Sequence, residues 1–254
     1  MLASMMLLLA TEQSTNTRCQ SYVGQRVLHK NAGIVAAKML SSVPRSKSEF
    51  ETTANFVARQ RAAVAALGSN PWILSRRVGD EAGLRYDADS ESMIFDADLF
   101  NPWYAGYKRV MPEHVLDANQ SGPLVSARGF YAVQSLGRKL GKNGFGAVTR
   151  FEVERVTEVG LVEGQGPGLF ANGQKQVRVP MSPELAQRYR YNLSVAFVFE
   201  PQAPFVQEQM KLDKSATVDD PLETWHQYVL LRGDLRCALI LTPDSIVLWA
   251  TDTN

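Results

Sequence analysis

The chain is poor in the residues that most often announce a chemistry. Only two of its 254 residues are cysteine, Cys19 and Cys237, too few for a disulfide scaffold or a four-cysteine metal centre. The three histidines, His29, His114 and His226, have no second ligand at metal spacing, so HExxH, His-x-His and Cys-x-x-Cys sites are all missing. Gly-x-Ser-x-Gly is absent, which removes the nucleophile elbow of the α/β hydrolases. Charge of one sign is lacking as well: 27 Lys and Arg oppose 26 Asp and Glu. No bulk field therefore draws the molecule to nucleic acid or an anionic membrane. No hydrophobic run reaches the ~20 residues a membrane-spanning helix requires. No cofactor is called for, and none is expected.

What is present describes a folded chain. Apolar residues make up 45% and charged residues 21%, as in globular domains. A chain this long buries roughly 70–75% of its unfolded surface and needs no staple to fold. The apolar run Leu2–Ala10 is too short to span a membrane but long enough for the apolar part of an export signal, although no cation precedes it. We read residues 1–17 as a leader or flexible terminus outside the core, and 18–254 as a single domain. On that reading the protein is periplasmic or secreted, the cytoplasm being the alternative.

Hydrophobic periodicity divides that domain. Val27, Leu28, Ile34, Val35, Met39 and Leu40 form one helical stripe. A second runs through Phe50, Ala54, Val57, Ala58, Val64 and Leu67, with Ser48 as N-cap, Glu49 and Glu51 in the first turn, and Gly68 as the stop. Phe50, Val57 and Val64 are expected to face the core. From Trp72 the period becomes two. Strands are predicted at Trp72–Arg76, Gly83–Tyr86, Ser92–Asp96, Gly129–Ser135, Val148–Val156, Gln176–Val179 and Leu193–Glu200, with a short helix capped by Ser182. Gln202–Leu222, polar and flanked by proline, reads as a long loop. His226–Ala250 reads as a three-stranded meander turning at Gly233-Asp234 and at Thr242-Pro243-Asp244-Ser245. Its middle strand is apolar on both alternations, which places it at the centre of a sheet covered on each side. Helices first and strands later argue α+β, mostly antiparallel sheet with two or three N-terminal helices. Cys237 on that strand is expected to be buried and reduced. The rival is a Cys19–Cys237 disulfide, which needs the two Cα atoms within ~7 Å.

Lys47–Arg59 contains Phe50-Glu51-Thr52, then Phe56 and Arg59. It is similar to an F-E-T-x-x-x-[F/Y]-x-x-R segment of uncharacterised bacterial cell-envelope proteins, in which a Tyr-Asp strand often follows, as Tyr86-Asp87 does here. The resemblance spans thirteen residues; it implies an envelope location and no activity.

Three segments are candidates for function. Phe100–Arg109 interleaves rings with cations, and Trp103, Tyr104, Tyr107, Lys108 and Arg109 could present flat faces beside charge to a sugar, base or peptide. Arg138, Lys139 and Lys142, set in a glycine-rich loop over 137–146, could nest an anion. That loop resembles a kinase phosphate loop, but no strand lysine, H-R-D or D-F-G follows it. Asp87, Asp89, Glu91 and Asp98 occur at calcium-loop spacing, yet Ser92 stands where the loop needs glycine, so a hairpin is preferred.

Together these readings point to an exported bacterial binding or assembly protein without catalytic activity, its partner another envelope protein or a glycan rather than nucleic acid, and with no metal. The alternatives are a hydrolase working through Asp87, Asp89, Asp96 and Asp98, and an anion or nucleic-acid binder at 137–146. Converging carboxylates, one of raised pKa, would favour an enzyme; an open aromatic surface would favour a binding module.

Overall fold

The computed structural model describes residues 18–68, 70–78, 83–100, 124–125, 132–142, 146, 148–162 and 175–252. Its centre is one long antiparallel hairpin, β9 (Ser194–Lys214) and β10 (Leu222–Leu241). In the inner half of that hairpin both alternations are apolar, and both faces are buried. Phe197, Phe199, Ala238 and Ile240 enter one core; Ala196, Val198, Cys237, Leu239 and Leu241 enter another on the opposite face.

The remaining strands assemble on this hairpin. β1 (Lys30–Asn31) and β2 (Trp72–Arg77) extend the sheet beyond β9. The other edge of β10 carries β7 (Val148–Val162) along its outer half and β11 (Val247–Asp252) along its inner half. β5 (Leu124–Val125) and β6 (Ala132–Lys142) then pair with β7. A separate three-stranded sheet is built from β3 (Leu84–Asp87), β4 (Ser92–Asp96) and β8 (Gln176–Pro180). The α+β class stands, but the main sheet is mixed, because β1 pairs with β2 and β7 with β10 in parallel.

Helices α1 (Ala32–Ser42) and α2 (Thr53–Ala65) lie in the N-terminal third, and α3 (Pro183–Tyr189) between β8 and β9. Val35, Ala36 and Met39 of α1 and Val64 of α2 join the first core with Trp72, Leu74, Val159, Val229 and Leu231. Asn31 caps α1 and Ser182 caps α3, each side chain accepting from a backbone N–H in the first turn. A 3-10 turn, Arg18–Tyr22, packs Cys19 into the second core with Val27 and Val247.

Several expectations hold in detail. β4 has its predicted bounds, and β3–β4 is a hairpin whose turn is closed by Asp87 accepting from the backbone N–H of Asp89. Thr242–Ser245 turns as expected, with Ser245 N donating to Thr242 O at 3.0 Å.

Others are corrected. Cys237 is not a free thiol: it is disulfide-bonded to Cys19, with Cα atoms 5.7 Å apart. Gly233 makes no turn, since β10 runs straight through it. A Cβ there would lie 2.2 Å from the Glu200 carbonyl oxygen, so this glycine permits close backbone approach. Most of Gln202–Leu222 is not a loop either, because β9 continues to Lys214 and only residues 215–221 connect it to β10. Val206 faces Leu231 while Pro201 faces Gly233, so three extra residues of β9 bulge out. Proline is tolerated in a strand at such a bulge, where the ladder needs no N–H. Phe50 is 92% exposed, because α2 starts at Thr53 with Thr52 as its cap rather than Ser48. Leu28 precedes α1 and is 97% exposed.

Candidate functional site

Beyond the inner core, the sheet face under α1 opens into a groove. In the parallel β7–β10 register Arg155 faces Trp225, Thr157 faces Gln227, and Val159 faces Val229. Side chains alternate across a strand, so these residues share one face while Val156, Glu158, His226 and Tyr228 point to the other. α1 crosses the first face and leaves a cavity of about 650 Å³ between itself and the strands. Ile34, Ala36, Ala37, Leu40, Val159 and Val229 supply apolar walls; Arg155, Thr157, Glu208, Gln227 and Arg45 supply the polar part.

That polar part is organised. Thr157 Oγ1 donates to Gln227 Oε1 at 2.8 Å, and Gln227 Nε2 donates to Glu208. Glu208 also pairs with Arg45, which follows α1 and so ties the helix end to the sheet. Arg155 stands apart from this chain. It donates from Nη2 to the Gln134 side chain of β6, and its buried Nε has no partner. Ile34, 58% exposed, puts a large apolar side chain at the rim.

The opposite face of the same strands holds a titratable cluster. His226 Nδ1 lies 3.2 Å from Tyr228 Oη and 3.9 Å from Asp213 Oδ2, and its Nε2 lies 4.0 Å from Glu158 Oε1. Burial, helped by the Asp213 charge, pushes the Glu158 carboxyl up to about 7. Neither Glu158 Oε2 nor His226 Nε2 has a hydrogen-bond partner.

The residues singled out from the sequence are distributed differently. Trp103, Tyr104, Tyr107, Lys108 and Arg109 lie outside the described residues, as do Leu2–Ala10 and His114. Arg138, Lys139 and Lys142 sit on strand β6 rather than in a loop. Arg138 and Lys139 point to opposite faces, and they pair with Glu152 at 3.1 Å and Glu223 at 3.8 Å. Asp87 and Asp96 each meet an arginine, Arg178 and Arg85, at 3.1 Å. Hydrogen bonds from Ser90 and then Arg178 hold Asp87 below the usual carboxylate range. Asp89 is exposed, and the side chain of Asp98 lies outside the described set. His29 bridges Ser75 and Ser245, a structural clamp between β2 and the β10–β11 turn.

Within Lys47–Arg59, Glu51 and Arg59 form a two-point ion pair, at 3.1 and 2.8 Å, around the start of α2 that Thr52 caps. Glu51, Thr52 and Arg59 thus have a local structural task, whereas Phe50 is exposed. Cys19, Cys237 and Asp252 form a tight group of metal-type ligands, but a paired sulfur is not a thiolate, so the disulfide occupies that chemistry.

The groove and the Glu158 cluster escaped sequence reading. Their residues come from separate elements, α1, β7, β9 and β10, with no local spacing to betray them. The available signal was Arg155 and Thr157 between Val153 and Val159, and Gln227 between Trp225 and Val229, polar residues interrupting apolar alternations. No family model matches the chain, and no curated protein or solved structure matches it.

Proposed function

We propose that this is an exported, non-catalytic binding protein that holds a small amphipathic molecule in the groove under α1. The observation that carries the reading is the groove itself: about 650 Å³, with apolar walls and a few convergent polar groups. That is the size and lining of small-molecule sites in general. Export is supported by the Cys19–Cys237 pair, since structural disulfides persist in oxidising compartments. No described helix is long and apolar enough to cross a membrane.

The hydrolase reading on Asp87, Asp89 and Asp96 has less support, because Asp87 and Asp96 are held by arginines in ion pairs. Acid–base chemistry has one observation in its favour, the Glu158 carboxyl of raised pKa beside His226. That cluster faces away from the groove, across the same strands.

Filling the groove is the test. Ala37→Trp places an indole between α1 and the strands. Binding of amphipathic small molecules, read by calorimetry on the disulfide-intact chain, is expected in the parent and lost in this variant. Equal binding by both proteins would refute the groove as the site.

A further inference from the structure

We infer that the groove selects an apolar carboxylate and that Arg155 is the cation holding its head group, an inference that rests on the groove being a binding site. Four polar side chains of the groove form a chain in which Thr157 donates to Gln227, Gln227 donates to Glu208, and Glu208 pairs with Arg45. Arg155 is outside that chain. It meets a neutral amide, Gln134, and no carboxylate among the described residues, and its Nε is buried without a partner. The charged lining residues are Arg45, Arg155 and Glu208. With Arg45 and Glu208 cancelling, a single positive charge is left over.

A buried N–H with nothing to donate to is costly, and a guanidinium without a counter-ion more so. The complement is an anion whose planar oxygens accept two parallel N–H bonds, the geometry in which arginine outperforms lysine. The walls set the rest of the ligand. Ile34, Ala37, Leu40, Val159 and Val229 present hydrocarbon from the rim to the floor, so the body attached to that head must be apolar. A hydroxyl head would satisfy one donor but leave the charge unmatched. An ammonium head would be repelled.

The experiment titrates four probes into the disulfide-intact chain: laurate and dodecylamine below their micellar concentrations, dodecanol below its solubility limit, and acetate. Laurate is expected to bind at least about tenfold more tightly than dodecanol, as a charge-assisted pair requires, with the amine weaker still and acetate not detected. Arg155→Gln should erase the difference between laurate and dodecanol, and Arg155→Lys should restore part of it. Parent-like thermal melts would show that both variants fold. If laurate and dodecanol bind the parent equally, or Arg155→Gln leaves laurate unchanged, the inference is overturned while the groove reading survives. Acetate binding as tightly as laurate would overturn it too, by showing that the walls contribute nothing. If none of the amphiphiles binds, both readings fall together.

Discussion

Glu158 is the residue at which folding and pH are most directly linked. Its carboxyl sits at about 7 in the folded chain against an ordinary value of 4.5. Stability from the neutral acid is therefore fully present below about pH 4.5 and is lost as pH rises through about 7, where the folded carboxyl must ionise. Allowing for the solvent that still reaches it, the loss by pH 8 is about 1–2 kcal/mol. Glu158→Gln stays neutral, so urea titrations should find it close to the parent at pH 4.5 and more stable at pH 8. A variant no more stable than the parent at pH 8 would show that Glu158 ionises freely. Gly233 makes the opposite kind of demand, through space rather than charge. Gly233→Ala must push a methyl against the Glu200 carbonyl and the Phe199 ring, neither of which can move far. A cost of about 2–4 kcal/mol is expected in denaturant unfolding. Phe50→Ala, by contrast, removes a ring that is 92% exposed and should cost about 0.5 kcal/mol or less.

At the scale of elements, α2 shows how a start signal can be misplaced by one turn. Ser48, Glu49 and Glu51 resemble a capped first turn, yet Thr52 Oγ1 accepts from Asn55 N and Glu51 reaches across to Arg59. The competition was between two hydroxyls four residues apart, and the Glu51–Arg59 pair favours the later one. Thr52→Ala should therefore lower stability by about 1 kcal/mol, and Ser48→Ala by much less. Reversal of that order in thermal unfolding would restore Ser48 as the cap. β9 teaches a related lesson about proline. The prolines flanking Gln202–Leu222 suggest a loop, but the strand resumes beyond the bulge with its register shifted by three residues and runs on to Lys214. Propensity reports the local interruption, whereas pairing with β10 decides whether the strand ends.

For the molecule as a whole, the disulfide is the decisive link. It joins a turn near the start of the described chain to the central strand, 218 positions away. Closing so long a segment restricts the unfolded chain, so Cys19→Ser should cost about 2–5 kcal/mol. Thiol titration in guanidinium without reductant should find no reactive sulfur. Two reactive thiols would dissolve the pair and, with it, the support for export.

The sequence alone determined the class and most of the short elements, because those rest on local rules: a two-residue period over Trp72–Arg76, one residue short of the strand, and over Ser92–Asp96, a serine cap before Pro183, a proline-centred turn after Leu241. It also placed the 235–241 stretch at the centre of a two-sided core, since both alternations are apolar. Only the tertiary structure decided the parallel docking of β7 on β10, the partner of Cys237, the purpose of Gly233 and the groove under α1. Each depends on which distant segments meet. That choice is made by packing over the whole chain, and a single strand's pattern is compatible with several answers.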